Sequence, residues 1–329
     1  LISFLAEHGG SMHCLYQAKG FHIPNSALHM FILTQTVVGI LGNLSLLCHY
    51  VTLYFTGYRL RSTDLILKHL IVANSLALLC KGVPHTMAAF GRKHFPSEFG
   101  CKLLFFLHRV GRGVSIGSIC LLSVFQVVTI SPRNSRWAEL KVKAPKYIVP
   151  SILLCWFLQM LVNIIFPVCI HSKWSNKSIT DNRDFGYCSS IRHHKTSNVL
   201  FATLLLFPDV SCLGLTLWAS GSMIFILHRH KQRVQHIRRT NASPSSSPES
   251  RATKTILLLV STFVYFYTLS SIFQVVLSLF ENPSRFIVNI TVIMVACFPA
   301  LSPFVLMSRD STVHSLYFRK IQRKMLQFC

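Results

Sequence analysis

The apolar positions of this chain fall in long blocks rather than in alternating or one-faced patterns. Seven such blocks run over about 28–55, 65–90, 103–130, 148–170, 199–227, 255–280 and 286–307. A helix needs about 20 mostly apolar residues to cross hydrocarbon about 30 Å thick, because each backbone N–H and C=O must find its partner within the segment. The fourth, sixth and seventh blocks carry no charged side chain, and the first holds only His29 and His49. Pro208-Asp209 interrupts the fifth, which a bundled helix tolerates where neighbours or water satisfy the freed backbone groups. The second holds Lys68 and Lys81, and the third holds His108, Arg109 and Arg112 in its first half. Both are retained because strongly apolar sequence continues past the charges: Ser118 to Ile130 reads SICLLSVFQVVTI. The pattern predicts an all-α, seven-transmembrane helix bundle over residues 28–307, with a segment 1–27 before it and a tail 308–329 after it.

Composition agrees. Hydrophobic residues make up 51% and charged residues 13%, against roughly 25% charged in ordinary soluble chains. A disordered chain, a polar solenoid and a typical cytosolic enzyme are excluded. The balance of 33 Lys+Arg against 10 Asp+Glu is strongly basic. These cations sit mostly between the apolar blocks, as loops flanking spans do, so the implied partner is membrane lipid and not nucleic acid. With the N-terminus outside, the inner segments 56–64, 131–147, 228–254 and 308–329 hold nineteen Lys/Arg and the outer ones hold ten. Lys/Arg excess marks the cytoplasmic side, which predicts an extracellular N-terminus and a cytoplasmic C-terminus. The first residue is Leu1 and not Met, as expected of a chain whose start is missing or processed, and residues 1–27 do not read as a complete signal peptide.

Two features fit that orientation. The sequon Asn176-Lys177-Ser178 lies in the longest outer loop, whereas those at Asn43, Asn241 and Asn289 fall in spans or on the cytoplasmic side. Asn176 is therefore the glycosylation candidate. Cys101, at the outer end of the third span, and Cys188, in the long outer loop, both face an oxidising compartment where disulfides persist. Cys14 and Cys169 are outer-side cysteines too, so the residues alone leave the pairing open. The eleven cysteines include no CxxC pair and no zinc-ligand spacing, and neither a metal nor a cofactor is expected. On the inner side, HRHKQRVQH (228–236) extends the fifth helix into the cytoplasm, and the Ser/Pro-rich NASPSSSPES (241–250) reads as a flexible bulge.

Catalysis has no candidate. Asp64 and Asp209 are the only acids in or at the spans and lie near opposite faces, and HExxH and phosphate-cradling Gly-rich loops are absent. The chain is not expected to be an enzyme. His228-x-His230 with His236 belongs to a solvated basic run.

The buried cations are the sharpest signal. Ionisable groups in a span are costly and face the bundle interior or a wet cavity. His108, Arg109 and Arg112 share one face of the third helix. Counted from Cys101, a rise of about 1.5 Å per residue puts Arg109 roughly 12 Å and Arg112 roughly 16 Å deep. Lys81 and His85 lie one turn apart on the second helix. Together these residues predict an outward-opening cavity with a cationic floor, suited to a small apolar ligand with an anionic or strong acceptor group. The alternative is that they bond carbonyls, Asp209 or water and lock the bundle. Asn43, Asn74 and Ser302-Pro303 are polar or kinked points on buried faces, for which packing is the expected role.

Five stretches then carry a resemblance: LRSTDLILKHLIVAN (60–74), KGVPHTMAAFG (81–91), HRVGRGVSIGSICLLSVFQVVTISPRNSRWAELKVKAPK (108–146), HRHKQRVQH (228–236) and CFPALSPFVL (297–306). They closely resemble the vomeronasal type-1 receptors, pheromone receptors of the rhodopsin-like G-protein-coupled class. The resemblance implies a plasma-membrane chemosensory receptor for small volatile or steroid-like molecules, sulfated steroids among them, signalling through an inhibitory-class heterotrimeric G protein. The family's outer disulfide maps onto Cys101 and Cys188, and its loop glycosylation site onto Asn176. Ile130-Ser131-Pro132-Arg133 replaces the usual Asp/Glu-Arg-Tyr ending of the third helix, and Leu301-Ser302-Pro303-Phe304 replaces Asn-Pro-x-x-Tyr in the seventh. The usual switch residues therefore do not carry over. The basic inner residues Arg133, Arg136, Arg229, Lys231 and Arg233 are the G-protein contact candidates. The runner-up is a multi-pass anion transporter or channel lined by Lys81, Arg109 and Arg112. Against it, no cationic residue continues through the inner halves of the spans.

Overall fold

A computed structural model describes residues 25–57, 62–89, 98–131, 138–164, 170–172, 182–184, 188–191, 195–237, 248–279 and 285–326. The helices are α1 (Asn25–Phe55), α2 (Ser62–Ala89), α3 (Glu98–Ile130), α4 (Ala138–Asn163), α5 (Lys195–Ile237), α6 (Pro248–Leu279) and α7 (Arg285–Leu326). Between α4 and α5 lie β1 (Ile170–Ser172), β2 (Asn182–Asp184) and β3 (Cys188–Ile191). The seven helices are long and apolar enough to span a membrane, as the hydropathy blocks predict.

The bundle is inverted relative to a water-soluble one. Val149, Leu153, Phe157 and Leu161 on α4 repeat every fourth residue and are all at least half exposed. A stripe of that kind is a liability in water and costs nothing against lipid tails. The fully buried positions include Asn43, Asn74, Ser115 and Ser302 beside Leu67, Leu70, Ile119 and Phe263. Of the seven, α3 is the most enclosed, packing against α2, α4, α5 and α6. Its approach to α2 is close because Gly111 has no side chain: a Cβ there would lie 2.9 Å from the Ala73 carbonyl oxygen and 3.1 Å from the Ala77 nitrogen.

Proline organises α7 against α1. Pro303 has no N–H and cannot serve the carbonyl four residues back, that of Pro299. That oxygen instead accepts a hydrogen bond from Asn43 Nδ2 at 2.9 Å. Gly42, one residue earlier, leaves room for the Pro303 ring, 3.0 Å from where a Cβ would stand.

Several boundaries differ from the hydropathy reading, and α7 runs on to Leu326, past the expected start of the tail at 308. The fourth helix ends at Asn163 and not near 170, and Ile170 opens β1. Asn163 turns its side chain back, Nδ2 donating to the Gln159 carbonyl at 2.8 Å, and Pro167 ahead cannot extend the ladder. The fifth helix starts at Lys195, and it continues through the basic run to Ile237. Pro248–Ser250, expected at the end of a flexible bulge, already forms the first turn of α6, while 241–247 lie outside the described residues. The strands escape a hydropathy reading altogether. They form an antiparallel sheet in the order β1-β3-β2, with Ser172 opposite Cys188 and Asp184 opposite Ser189.

Candidate functional site: a cationic cavity between the helices

Four of the five cations and imidazoles singled out in the sequence converge on three adjoining spaces. The first is narrow, a cavity of about 30 Å³ with Phe263, Phe266 and Tyr267 of α6 facing His108, Arg112 and Ser115 of α3. The second, about 10 Å³, brings Lys81 and Gly82 of α2 against α7 and shares Ala77, His108, Val295 and Pro299 with the first. The third, too tight for a water molecule, holds Arg109, Gln159, Asn163 and Asp209 between α3, α4 and α5, and meets the first at Arg112.

Each side chain is placed by its local helix. The close α2–α3 approach at Gly111 puts His108 one turn earlier beside α2, where Nδ1 bonds the Ala77 carbonyl at 3.2 Å. A carbonyl only accepts, so Nδ1 carries the proton in that bond. Arg109 Nε donates to Asn163 Oδ1 at 3.3 Å. Gly113 makes room for the Gln159 amide, whose Oε1 accepts from Asn163 Nδ2 at 3.2 Å.

Arg112 differs from its neighbours. Its guanidinium lies 4.6 Å from the centre of the Tyr267 ring, and one Nη donates to Ser271 Oγ at 3.2 Å. Its Nε is buried with no hydrogen-bond partner among the described residues. A donor left unmet in an apolar interior costs about 1–3 kcal/mol and calls for an acceptor. Lys81 likewise makes no hydrogen bond or ion pair with the described residues. A site with unmet cationic donors beside aromatic and aliphatic walls can capture an anion or strong acceptor on an apolar body.

His85 is not part of this lining. Its Nε2 meets Asn289 Oδ1 at 3.0 Å, tying α2 to α7, and its ring stands 6.2 Å from that of His29. Cys101 is fully buried and disulfide-bonded. Cys188 begins β3, its side chain outside the described residues. Asn176, Arg133 and Arg136 also lie outside them. Arg229 is exposed on α5, and Lys231 and Arg233 continue that helix with undescribed side chains.

Sequence reasoning missed Tyr267, Ser271 and the aromatic wall. Tyr267 Oη donates to Asp209 Oδ2 at 2.7 Å, so the one acid among the cavity walls is bound to a tyrosine of α6. A tyrosine in an apolar span is weak as a signal by itself. Paired with the only acid of the fifth span, it could have been found.

Known proteins place this arrangement. Residues 26–319 match the family model of the vomeronasal organ pheromone receptor family. The chain is 63% identical to human vomeronasal type-1 receptor 4 over 87% of its length and 95% of the relative's. It is 44% identical to human vomeronasal type-1 receptor 1 over 89% of its length and 83% of the relative's. A zebrafish olfactory receptor class A-like protein 1 is 30% identical over 84% of this chain and 87% of its own. Squid rhodopsin shares the fold, with a TM-score of 0.62 at 13% identity, covering 87% of this chain and 78% of that one. The chain therefore belongs to the vomeronasal organ pheromone receptor family, a family of multi-pass membrane receptors and not of enzymes, and it has the fold of rhodopsin.

Proposed function

We propose that this receptor takes a small, largely apolar ligand with an anionic or strong acceptor group into the cavity between α2, α3, α6 and α7. Arg112 carries the reading: a partly buried guanidinium in an aromatic cavity, with a buried Nε unmet by the described residues. Lys81 lines the adjoining space, with His108 at the junction of the two. Arg109 is a subsidiary contact, since it also serves Asn163. Membership of a receptor family favours this reading over anion conduction.

In this reading the N-terminus is extracellular and the C-terminus cytoplasmic at the plasma membrane, with Cys101 paired to Cys188 over the outer mouth and a glycan on Asn176. Ligand binding biases a helix bundle between two arrangements, opening an inner face to an inhibitory-class heterotrimeric G protein. Arg133, Arg136, Arg229, Lys231 and Arg233 form the basic contact surface there.

The test is a screen of volatile and sulfated steroid compounds on cells expressing the chain, read through an inhibitory G protein. An active acidic compound loses potency in Arg112→Gln and Lys81→Gln, and a neutral analogue does not. Equal losses for acidic and neutral compounds, or no response across the panel with surface expression shown, overturn it.

A further inference from the structure

The contacts of Arg112 reach beyond the cavity. Its ring partner Tyr267 and its hydrogen-bond partner Ser271 lie one turn apart on α6, so both hold the same face of that helix to α3. The Tyr267 hydroxyl in turn holds α6 to Asp209 on α5 at 2.7 Å. Elsewhere α6 packs mainly on α7 and only sparsely on α3 and α5. Where apolar packing is sparse, a few polar contacts carry a large share of what keeps two helices together.

We infer that Tyr267, fixed by Asp209, is a positioning residue: it holds Arg112 against α6 and keeps α6 closed on α3 and α5 until the cavity is filled. The inference rests on the proposed reading of the cavity as the ligand site. The Arg112 guanidinium is spent on a ring face and a neutral hydroxyl while its Nε goes unmet. A guanidinium grips a carboxylate, sulfate or phosphate through two parallel charge-assisted hydrogen bonds, where a serine hydroxyl takes one. An anionic ligand therefore draws the guanidinium away from Ser271 and off the ring. What remains of the tie is the Tyr267–Asp209 bond. Asp209 follows Pro208, which has no N–H to close the preceding helical turn, so α5 is loosened where the tie attaches. Tyr267 thus links capture of the ligand to release of the helix, a role that Arg112 could not fill alone.

The experiment needs no ligand. Full-length receptor fused to an inhibitory-class Gα subunit is assayed for basal nucleotide exchange in membranes, with surface amount and thermal midpoint measured in parallel. Tyr267→Phe keeps the ring under Arg112 and removes only the hydroxyl; Asp209→Leu removes the acceptor. Each is expected to raise basal exchange roughly three- to twentyfold, the range of one interhelical hydrogen bond, and the double variant no more than either single one. Unchanged or reduced exchange in Tyr267→Phe, or effects that multiply in the double variant, overturns the inference. Because the readout is ligand-free, such a failure leaves the anion-binding reading to be judged separately by the Arg112→Gln response.

Discussion

Asn74 of α2 donates from Nδ2 to the Ser302 hydroxyl of α7 across 2.8 Å. The other end of the same amide, Oδ1, accepts from Ser115 of α3, also at 2.8 Å. Ser115 lines the cavity, and Ser302 reaches the Pro299 carbonyl, which also binds Asn43 of α1. One buried amide thus joins the cavity wall to the seam of α2, α3 and α7. Replacing it by alanine removes two interhelical bonds worth about 0.6 kcal/mol each on average, or about 1 kcal/mol together. The Ser115 hydroxyl is also stranded, whereas that of Ser302 keeps the Pro299 carbonyl. Asn74→Ala is expected to lower the thermal midpoint in detergent by several degrees. A midpoint equal to that of the native chain would show that the amide does not bridge the three helices.

Glycine positions offer a sharper contrast. A Cβ at Gly111 would press on the backbone of α2, whereas one at Gly221 would meet nothing within 4 Å. Backbone cannot move aside as the end of a flexible side chain can, so Gly111→Ala has to separate α2 from α3 and break the His108–Ala77 bond. Overpacking of this kind costs about 1–3 kcal/mol or more. Gly221→Ala is expected to match the native chain in surface expression and thermal midpoint, and Gly111→Ala to fall well below it. Similar behaviour of the two would argue against the close crossing.

These residues also show why parts of the molecule are legible in the sequence. Seven spans can be found because the requirement for about 20 apolar residues is local and needs no knowledge of neighbours. His108, Arg109 and Arg112 can be assigned to an inward face because lipid penalises any other direction. Helix rotation is not local. Tyr267 and Asp209 stand 58 residues apart, and their bond depends on how α5 and α6 turn toward one another. Sequence spacing groups His85 with the cavity because it shares a face with Lys81, yet Asn289 on α7 claims its ring. The strands, three or four residues long, are too short to leave a period in the sequence.

A disulfide between Cys101 and Cys188 makes a separate prediction. Cys101 is bonded, and Cys188 begins the strand whose pairing runs to β1, which packs against α3. Removing a native disulfide typically costs about 2–5 kcal/mol. Cys101→Ser and Cys188→Ser should each reduce surface expression strongly, and the double variant should be no worse than either. If Cys188→Ser alone is well expressed, with one titratable thiol fewer than the native chain where loss of its disulfide partner would add one, Cys101 pairs elsewhere.

The orientation of the chain is open to an equally direct test. Glycosylation requires a sequon on the extracellular side and clear of the bilayer, a condition the basic inner loops assign to Asn176 alone among the four. Asn43 and Asn289 are buried within helices, at 0% and 4% exposure, where no transferase can reach. Asn241 lies between α5 and α6, beyond the basic run that continues α5. Asn176→Gln is therefore expected to abolish the gel shift produced by glycosidase treatment, while Asn241→Gln leaves it intact. The reverse result would put the α5–α6 connection outside the cell and turn the bundle over. The basic surface assigned to the G protein would then face the wrong compartment, and the cavity would open toward the cytoplasm.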